Sequence, residues 1–450
     1  MTKPQSHVFF PREDRLTADH AEGVYIYDEN GKQYLDGIGG THVNGIGYGV
    51  REVADAIAEQ ALKLPFVHKV VFTSDPQEQL AKKVIEMAPE GMTKVTFTTG
   101  GSLGNEMAMQ IARYYHLAKG NPGKYKVISR WHSYHGRTMT ALAVSGSLFV
   151  QGDKMAPYAA HNPRIQAPNC YQHPRGADPS GLSYADELER VILQEGPNTV
   201  SAFIAEPIGG GASSALTPPP GYYERIREIC DKYDVLFISE EVVTGFGRTG
   251  KPFGIQHWDC VPDFIVATKG LSSGYAPIGA VIVHGRVWDA FVEANNKAIP
   301  AWVTYSGHPI SCAAALAVLQ YLEDHNLIER CATMGDYLKG QLEALAAREP
   351  IIGDVRGKGL LIGIEFVQDR ITRQSFPRSL RLVENIIATA LEKGLITRGR
   401  PGNGVTKEGD HMLFSPSFII TEEQCDDLVA ILEASIQEVK ANLGIVEMVA

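Results

Sequence analysis

A lysine and a glutamate that follow two short apolar runs are the residues in this sequence best suited to covalent chemistry. The runs VLFI (235–238) and FIVA (264–267) have the length and β-branched content of buried strands, and Glu240 and Lys269 come two residues after them. If both strands are parallel members of one sheet, the two side chains emerge at its carboxyl edge, where open α/β sheets bind ligands. A lysine in such a place can lose its proton well below its usual pKa of about 10.4 and attack an aldehyde to form a Schiff base.

The glutamate complements the lysine, because an acid beside a heterocyclic nitrogen keeps that nitrogen protonated and makes a pyridoxal ring an electron sink. The alternative interpretation is a surface lysine before a helix-breaking glycine, and a bare Lys-Gly pair such as Lys269-Gly270 favours that alternative. The other motifs of the chain are needed to decide between the two.

A glycine-rich segment, TTGGSLGNE at residues 98–106, follows one predicted strand and precedes a predicted helix over 105–118. Gly101 lets the backbone approach a ligand closely, and the helix amino terminus directs free N–H groups and a partial positive charge at an anion. With the Ser102 hydroxyl, this predicts a phosphate site. The segment lacks the GxGxxG fingerprint and a Walker lysine, so neither a dinucleotide site nor an ATP site is indicated.

Three further residues are candidates for the same site, and two of them have a structural alternative. Tyr134, in RWHSYHGRT, could stack on an aromatic ring. His132 and His135 in that motif have no carboxylate or thiolate near them in sequence, so no metal site is predicted. Glu206 would reach the same sheet edge, or serve as a salt-bridged acid, and His42 would line a pocket, or be satisfied by neighbouring backbone.

Composition excludes several classes of protein. The 450 residues are 44% hydrophobic, which is enough for two or so domains with a large core. The net charge of −10, without a basic run, argues against nucleic acid or an anionic membrane as partner. The six cysteines form no CxxC pair and no apolar run is long enough to cross a bilayer, so we expect a cytoplasmic protein without disulfides.

Periodicity predicts the fold class. GVYIYDENGKQYLD (23–36) predicts a hairpin, and REVADAIAEQALK (51–63) predicts a helix with one apolar face. From about residue 75, helices alternate with strands, which is typical of an α/β fold with a mainly parallel sheet covered by helices. After about residue 320 the pattern changes to a smaller α+β domain, whose last helix begins at the Thr421 capping box. Strands of the large domain are predicted at 94–98, 126–130, 202–205, 235–238, 264–267 and 278–284.

The domain boundaries follow from that change of pattern. Residues 1–60 would contribute to the small domain, 61–325 would form the large ligand-binding domain, and 326–450 would complete the small domain.

The chain resembles a class III, or ω-type, aminotransferase of the fold-type I pyridoxal-phosphate enzymes, from about residue 10 to residue 444. This resemblance covers nearly the whole chain, in the family's order, so it is highly specific. The motifs that carry it are YIYDENGKQYLDG, TGGSLGNEMA, SYHGRT, AEPIGGG, ISEEVVTGFGRTGK, PDFIVATKGLSSGYAPIGAV, TYSGHP and SPSFIIT.

The resemblance implies pyridoxal 5'-phosphate as cofactor and assigns roles to residues of this chain. Lys269 would be the Schiff-base lysine and proton carrier, and Glu240 the acid at the ring nitrogen. Tyr134 would stack on one face of the ring and Val242 would press on the other. Thr304 would reach the phosphate from a second subunit, and Gly101 and Ser102 would hold it from the first. Active sites shared in this way imply a homodimer, and dimers could pair into tetramers.

The resemblance also implies how substrates are bound. Arg398 matches the arginine that receives a substrate carboxylate, a task for which the guanidinium fork is suited. Glu206 matches an acid that neutralises this arginine when an uncharged substrate end is bound. His42 stands where many amine-accepting members carry tryptophan, so the pocket should be more polar than theirs.

Three other positions depart from the family. Aspartate is usual where this chain has Glu240, and the extra methylene displaces the carboxylate by roughly 1.5 Å unless the backbone retreats. Errors in position near 1 Å can lower a rate about a hundredfold. Leu103 and Gly104 replace the usual glutamate and alanine at the start of the phosphate helix, and the loss of an acid there removes a mildly stabilising charge.

The function implied is transfer of an amino group from an amine or ω-amino acid to a keto acid, pyruvate or 2-oxoglutarate, by a ping-pong mechanism. Two alternatives stay open from the sequence. The same fold supports racemase, aminomutase and decarboxylase chemistry, which needs no net keto-acid co-substrate or releases carbon dioxide. The Glu240 and Leu103 departures would also fit an impaired homologue that binds the cofactor without turnover.

Overall fold

The computed structural model describes residue 8 and residues 15–147, 155, 158–172, 180–294, 303–402 and 407–445. The strands are β1 Ala18–Glu22, β2 Tyr25–Asp28, β3 Gln33–Asp36, β4 Met92–Thr98, β5 Lys126–Arg130, β6 Arg164–Ile165, β7 Val200–Ala205, β8 Leu236–Glu241, β9 Phe264–Ala267, β10 Gly279–His284, β11 Ile352–Lys358, β12 Leu361–Phe366, β13 Leu395–Ile396, β14 Arg398–Pro401 and β15 Asp410–Phe414. The helices are α1 Gly39–His42, α2 Arg51–Lys63, α3 Asp75–Met87, α4 Gly101–Ala118, α5 Met139–Val144, α6 Leu182–Glu195, α7 Tyr222–Lys232, α8 Gly285–Glu293, α9 Pro309–Asp324, α10 Leu327–Arg348, α11 Leu382–Glu392 and α12 Glu422–Leu443.

A seven-stranded sheet forms the centre of the molecule, in the order β4-β10-β9-β8-β7-β5-β6. Its neighbours from β9 to β6 are parallel, whereas β10 runs antiparallel to both β9 and β4. Every residue of β7, β8 and β9 is buried, as expected for strands covered by helices on both faces. The predicted α/β fold with a mainly parallel sheet is confirmed.

Two element boundaries near the site differ from the prediction. Strand β8 continues to Glu241, so Glu240 is its penultimate residue and pairs with Val266 of β9. Helix α4 begins at Gly101, four residues before the predicted start, and packs tightly on the sheet. A Cβ at Gly104 would lie 2.7 Å from Val266 Cγ1, so glycine at this position permits the close approach.

Two smaller sheets join the chain ends. The predicted amino-terminal hairpin is confirmed, because β2 and β3 pair antiparallel, and β13 from the carboxyl-terminal part adds to β3. Strands β11-β12-β15-β14 form an antiparallel sheet in the carboxyl-terminal part, where the Thr421 capping box begins α12 as predicted. The first 60 residues and the last 125 therefore share a sheet, while the boundaries at residues 60 and 325 stay a prediction.

Helix α2 has the predicted bounds but a different environment. Of the residues on its predicted apolar face, Val53 is buried and Ile57 is half-buried, whereas Ala54, Ala58 and Ala61 are exposed on the protomer. Leu62 beside them has 90% of its surface exposed. Across the described ranges, no helix combines the length and apolarity needed to cross a membrane.

Candidate active site

A cavity of about 520 Å³ lies where β7, β8 and β9 end. Nine of the ten site residues predicted from the sequence line it, and the tenth, Thr304, does not. The strand ends explain most of this convergence, because the central strands deliver the residues that follow them to the same edge, whereas His42 of α1 and Arg398 of β14 reach the cavity from outside the central sheet. The nine are His42, Gly101, Ser102, Tyr134, Glu206, Glu240, Val242, Lys269 and Arg398.

Lys269 follows β9 after one residue and has a φ of 35°, in the left-handed region that non-glycine residues seldom occupy. Such strain often marks functional positions. Burial lowers the pKa of Lys269 to about 8, although the charge of Glu240 opposes this shift. At pH 7, Lys269 is therefore the free, nucleophilic amine in about a tenth of the protein molecules.

Glu240 is 3% exposed, and both oxygens of its carboxylate have partners. Oε1 accepts a hydrogen bond from the Val242 amide at 2.8 Å, and Oε2 lies 3.1 Å from His135 Nδ1. Burial raises the pKa of Glu240 to about 7, against the opposing effects of the Val242 amide and Lys269. The group can therefore hold or release a proton near neutral pH.

Glu241, the next residue, has a separate role. Its carboxylate accepts hydrogen bonds from the amides of Gly254 at 2.7 Å and Ile255 at 2.8 Å. Alternation along a strand places successive side chains on opposite faces, so only Glu240 of the two lines the cavity. Glu241 instead fixes the connection between β8 and β9.

His135 and Asn105 also line the cavity, and the sequence analysis did not select them for the site. The Asn105 side-chain amide donates to the His135 carbonyl at 2.7 Å, and the Ser145 hydroxyl accepts from the His135 amide at 2.8 Å. Burial lowers the pKa of His135 to about 4. His135 Nε2 and Asn105 Oδ1 are buried without a hydrogen-bond partner among the described residues. Buried polar atoms are usually hydrogen-bonded, so ordered water or a polar ligand would complete these two.

The end of the cavity at the start of α4 is closely packed. A Cβ at Gly101 would lie 2.7 Å from Val242 Cγ2, so only glycine leaves room beside that side chain. The Ser102 hydroxyl accepts from the Arg137 amide at 3.1 Å. No side chain in the described part of the chain caps the start of α4, which leaves its first N–H groups for an anion. The long α4 with its free amino terminus fits a phosphate group.

Glu206 is buried at the same edge and is bonded to backbone. Its two carboxylate oxygens accept from the Gly210 amide at 3.0 Å and the Tyr134 amide at 3.3 Å. Burial, and then the charge of Glu240, raise the pKa of Glu206. The structure records no hydrogen bond between Glu206 and Arg398 among the described residues.

His42 is held in one tautomer by its neighbours. Its Nδ1 lies 2.6 Å from the Ser415 hydroxyl, and that hydroxyl donates its single hydrogen to the Ile38 carbonyl at 2.9 Å. His42 Nδ1 must therefore be the donor to Ser415. Burial, and then the charges of Lys269 and Arg398, lower the pKa of His42 well below its usual range, so the ring is neutral. Nε2 is left as a buried acceptor with no partner among the described residues.

Arg398 lies on β14 and lines the cavity together with Arg400, which the sequence analysis did not select. A Cβ at Gly211 would lie 3.6 Å from both Arg398 Cζ and His42 Nε2, so the two side chains border the same space. Spacing by two along a strand predicts that Arg400 shares a face with Arg398, but the glycine and proline of RGRP gave no strand signal.

Comparison with known proteins identifies the family. The chain matches aminotransferase class-III over residues 9–436. The chain belongs to the class III aminotransferases. This aminotransferase is 38% identical to the diaminobutyrate–2-oxoglutarate transaminase of Halomonas elongata, over 93% of this chain and 89% of that one. It is 37% identical to the putrescine–pyruvate aminotransferase of Pseudomonas aeruginosa, over 94% and 90% of the two chains.

A solved structure of an omega transaminase from Pseudomonas jessenii in complex with PMP matches the aminotransferase with a TM-score of 0.91. The two share 32% identity, and the match covers 98% of each chain. The predicted fold type I is thereby confirmed, and so is transamination as the reaction.

Proposed function

We propose that this aminotransferase binds pyridoxal 5'-phosphate in the cavity and transfers an amino group from an amine or ω-amino acid to a keto acid. The observation that carries the proposal is the pairing of Lys269, with its lowered pKa, and Glu240, with its raised pKa, in one cavity. An amine and an acid that both titrate near neutral pH suit proton transfer.

The residues of the cavity fit the cofactor. Gly101 and Ser102 at the start of α4 would hold the phosphate, and Lys269 would hold the aldehyde carbon. Tyr134 and Val242 both line the cavity and would pack against the two ring faces. Glu240 would face the ring nitrogen. When bound, pyridoxal phosphate supplies an aldehyde and an electron-withdrawing ring.

The protein's own groups perform the remaining tasks. As a free amine, Lys269 Nζ would take up and release the proton of the donor carbon, and Glu240 would hold a proton next to the ring nitrogen. Arg398 binds the carboxylate of the keto acid. When the donor lacks a carboxylate, Glu206 would leave its two backbone amides and neutralise Arg398. His42 Nε2 accepts a hydrogen bond from a polar donor.

Two relatives support the class of donor. The names of these enzymes give diaminobutyrate and putrescine as substrates, and both molecules carry an amino group away from any carboxylate. The polar His42 in place of an aromatic residue agrees with donors that carry a second polar group.

A homodimer is the proposed working form. The exposed apolar patch beside α2 includes Phe66, whose ring lies 5.9 Å from the ring of Tyr305, next to Thr304. An exposed patch of this kind marks an interaction site, and a second copy would bury it. Thr304 would then reach the partner's cavity. Besides Phe66 and Tyr305, the exposed large apolar side chains at the end of α2 and in the segment after it are Leu62, Val70, Val71 and Phe72.

The cytoplasm is the proposed compartment, because all six cysteines are free thiols. Five of the six are buried. Burial raises the pKa of the thiols of Cys230 and Cys312 to about 12, which keeps them protonated and unreactive.

The test is a visible-absorption titration of the protein with added pyridoxal phosphate, followed by amine donors and then pyruvate or 2-oxoglutarate. The expected result is a cofactor band that disappears with a donor and returns with a keto acid. Lys269→Ala should abolish turnover, and a variant that kept the wild-type rate would contradict the proposal. The conservative Lys269→Arg should be equally inactive, because a guanidinium stays protonated and is not a nucleophile.

A further inference from the structure

Arg398 and Arg400 share one face of β14. They are two residues apart on the strand, which pairs with β15 through Arg398↔Leu413 and Arg400↔His411. The residue between them faces the other way, where a Cβ at Gly399 would lie 2.1 Å from Val383 Cγ2 of α11. One face of β14 is therefore packed against a helix without a gap, and the other presents two guanidinium groups to the cavity.

The two arginines have no hydrogen-bond or ion-pair partner among the residues that the structure describes. Both are half-buried, and burial lowers the pKa of each. The charge of Arg398 lowers the pKa of Arg400 further, so the two cations repel each other at close range. Unpaired, partly desolvated charges of like sign are unfavourable, and a bound anion offsets that penalty.

Both acids of the cavity, Glu240 and Glu206, already have hydrogen-bond partners within the protein. Glu240 is bonded to the Val242 amide and lies against His135, and Glu206 is bonded to two backbone amides. His42 presents an unprotonated nitrogen, which cannot bind a carboxylate. Among the described residues neither acid bonds to Arg398 or Arg400, so with a carboxylate substrate the negative charge beside the two arginines comes from that ligand.

We propose that Arg400 is the second cation of a two-carboxylate subsite and selects a keto acid that carries a carboxylate at each end. The proposal rests on the proposed function above, in which Arg398 receives the carboxylate next to the reacting carbonyl. Arg400 then forms a charge-assisted pair with the far carboxylate. A keto acid with one carboxylate leaves Arg400 unpaired beside Arg398, so it binds less well.

The test compares 2-oxoglutarate with 2-oxopentanoate, which has the same number of carbon atoms and lacks the second carboxylate. For the holoenzyme, kcat/KM should be at least about tenfold higher for 2-oxoglutarate, and Arg400→Gln should reduce that preference about 10- to 100-fold. Arg400→Lys, which keeps the charge and loses the fork, should give an intermediate preference.

A charge-matched control is Arg190→Gln, because Arg190 lies on the exposed surface of α6 and the change in net charge is the same. This variant should keep the wild-type preference. Melting temperature and the cofactor band check that each variant is folded and loaded. Calorimetric titration of the holoenzyme with glutarate and with pentanoate gives a readout independent of turnover, and Arg400→Gln should weaken glutarate about 10- to 100-fold more than pentanoate.

A wild-type enzyme without preference for 2-oxoglutarate would overturn the proposal, as would a preference unchanged within about twofold in Arg400→Gln. Failure of the proposed function looks different. In that case no donor removes the cofactor band, or no keto acid restores it, whatever the residue at position 400.

Discussion

His135 Nδ1 lies 3.1 Å from Glu240 Oε2, and both side chains are buried. Because the Val242 amide binds the other oxygen at 2.8 Å, the carboxylate is fixed from two sides at the sheet edge. These two contacts set the position of the carboxylate at the wall of the cavity. His135 thus acts as a positioning residue for the acid that would face the cofactor ring.

The rate of the donor half-reaction should depend on the acidic group at position 240 more than on the length of that side chain. Glu240→Gln removes the acidic proton and should slow the donor half-reaction at least about 100-fold, whereas Glu240→Asp keeps the carboxylate and should stay within about 100-fold of wild type despite the shift in position. Stopped-flow absorption of the cofactor band measures both rates. Equal rates for wild type and Glu240→Gln would show that the acid has no part in catalysis.

Loss of His135 should shift a pKa as well as a rate. In His135→Phe, Glu240 Oε2 is buried without its partner, so the pKa of Glu240 should rise further above its ordinary value. We expect kcat to fall about 10-fold or more, with KM changed less, and the pH at which the cofactor spectrum titrates to move upward. His135→Asn, which keeps a donor, should recover part of both effects. A fall in kcat with an unmoved spectral titration would indicate a structural role alone.

The sequence predicted the site residues that directly follow strands of the central sheet. The β-branched runs before Glu240 and Lys269 identified two parallel strands, and parallel strands end at one edge whatever their exact bounds. Arg400 was missed because its strand contains glycine and proline and exists only through pairing with β15. The contact of His135 with Glu240 joins residues 105 positions apart, which no local pattern reports.

The lowered pKa of Lys269 makes cofactor capture dependent on pH. With a pKa of about 8, capture of pyridoxal phosphate by the apo protein should rise about tenfold per pH unit below 8 and level off above it. Butylamine in solution, with an ordinary amine pKa, is the control and should still be rising at pH 9. A plateau for the protein only above pH 10 would contradict the lowered pKa.

The same shift affects stability. Between about pH 8 and the ordinary value near 10.5, the unfolded state binds more protons at this lysine than the folded state, so its unfavourable contribution is complete below pH 8 and fades as the pH rises. Lys269→Met should therefore raise the melting temperature of the apo protein at pH 7 and have less effect at pH 10.

His42 should select donors by the hydrogen-bond donor at their far end. Because Nε2 is an acceptor without a partner in the part of the chain that the structure describes, 4-aminobutanol should be preferred over pentylamine, which has the same number of non-hydrogen atoms. His42→Phe should reduce that preference about 5- to 10-fold. Ser415→Ala keeps the ring but frees its tautomer, so it should give a smaller reduction. An unchanged ratio of kcat/KM in both variants would remove His42 from the substrate site.

The role of Thr304 tests whether each active site is built from both protomers of a dimer. It is exposed on the protomer, outside the cavity, in a turn whose carbonyl at Val303 accepts from Lys69 Nζ at 2.9 Å. If it reaches the phosphate in the partner's cavity, Thr304→Glu should weaken cofactor binding, because a carboxylate repels the phosphate. Thr372→Glu is the matched control, since Thr372 is also exposed, and it should bind the cofactor like wild type.

Activity measurements on mixed dimers then distinguish active sites built from two protomers from active sites built from one. In a dimer of one Lys269→Ala chain and one Thr304→Glu chain, a shared arrangement puts both changes in one site and leaves the other intact, so about half the wild-type activity per dimer should return. If Thr304 serves its own protomer, each site carries one change and no activity returns. Differently tagged chains, co-expressed and purified through both tags, give the mixed dimer, and the two parent dimers give the background.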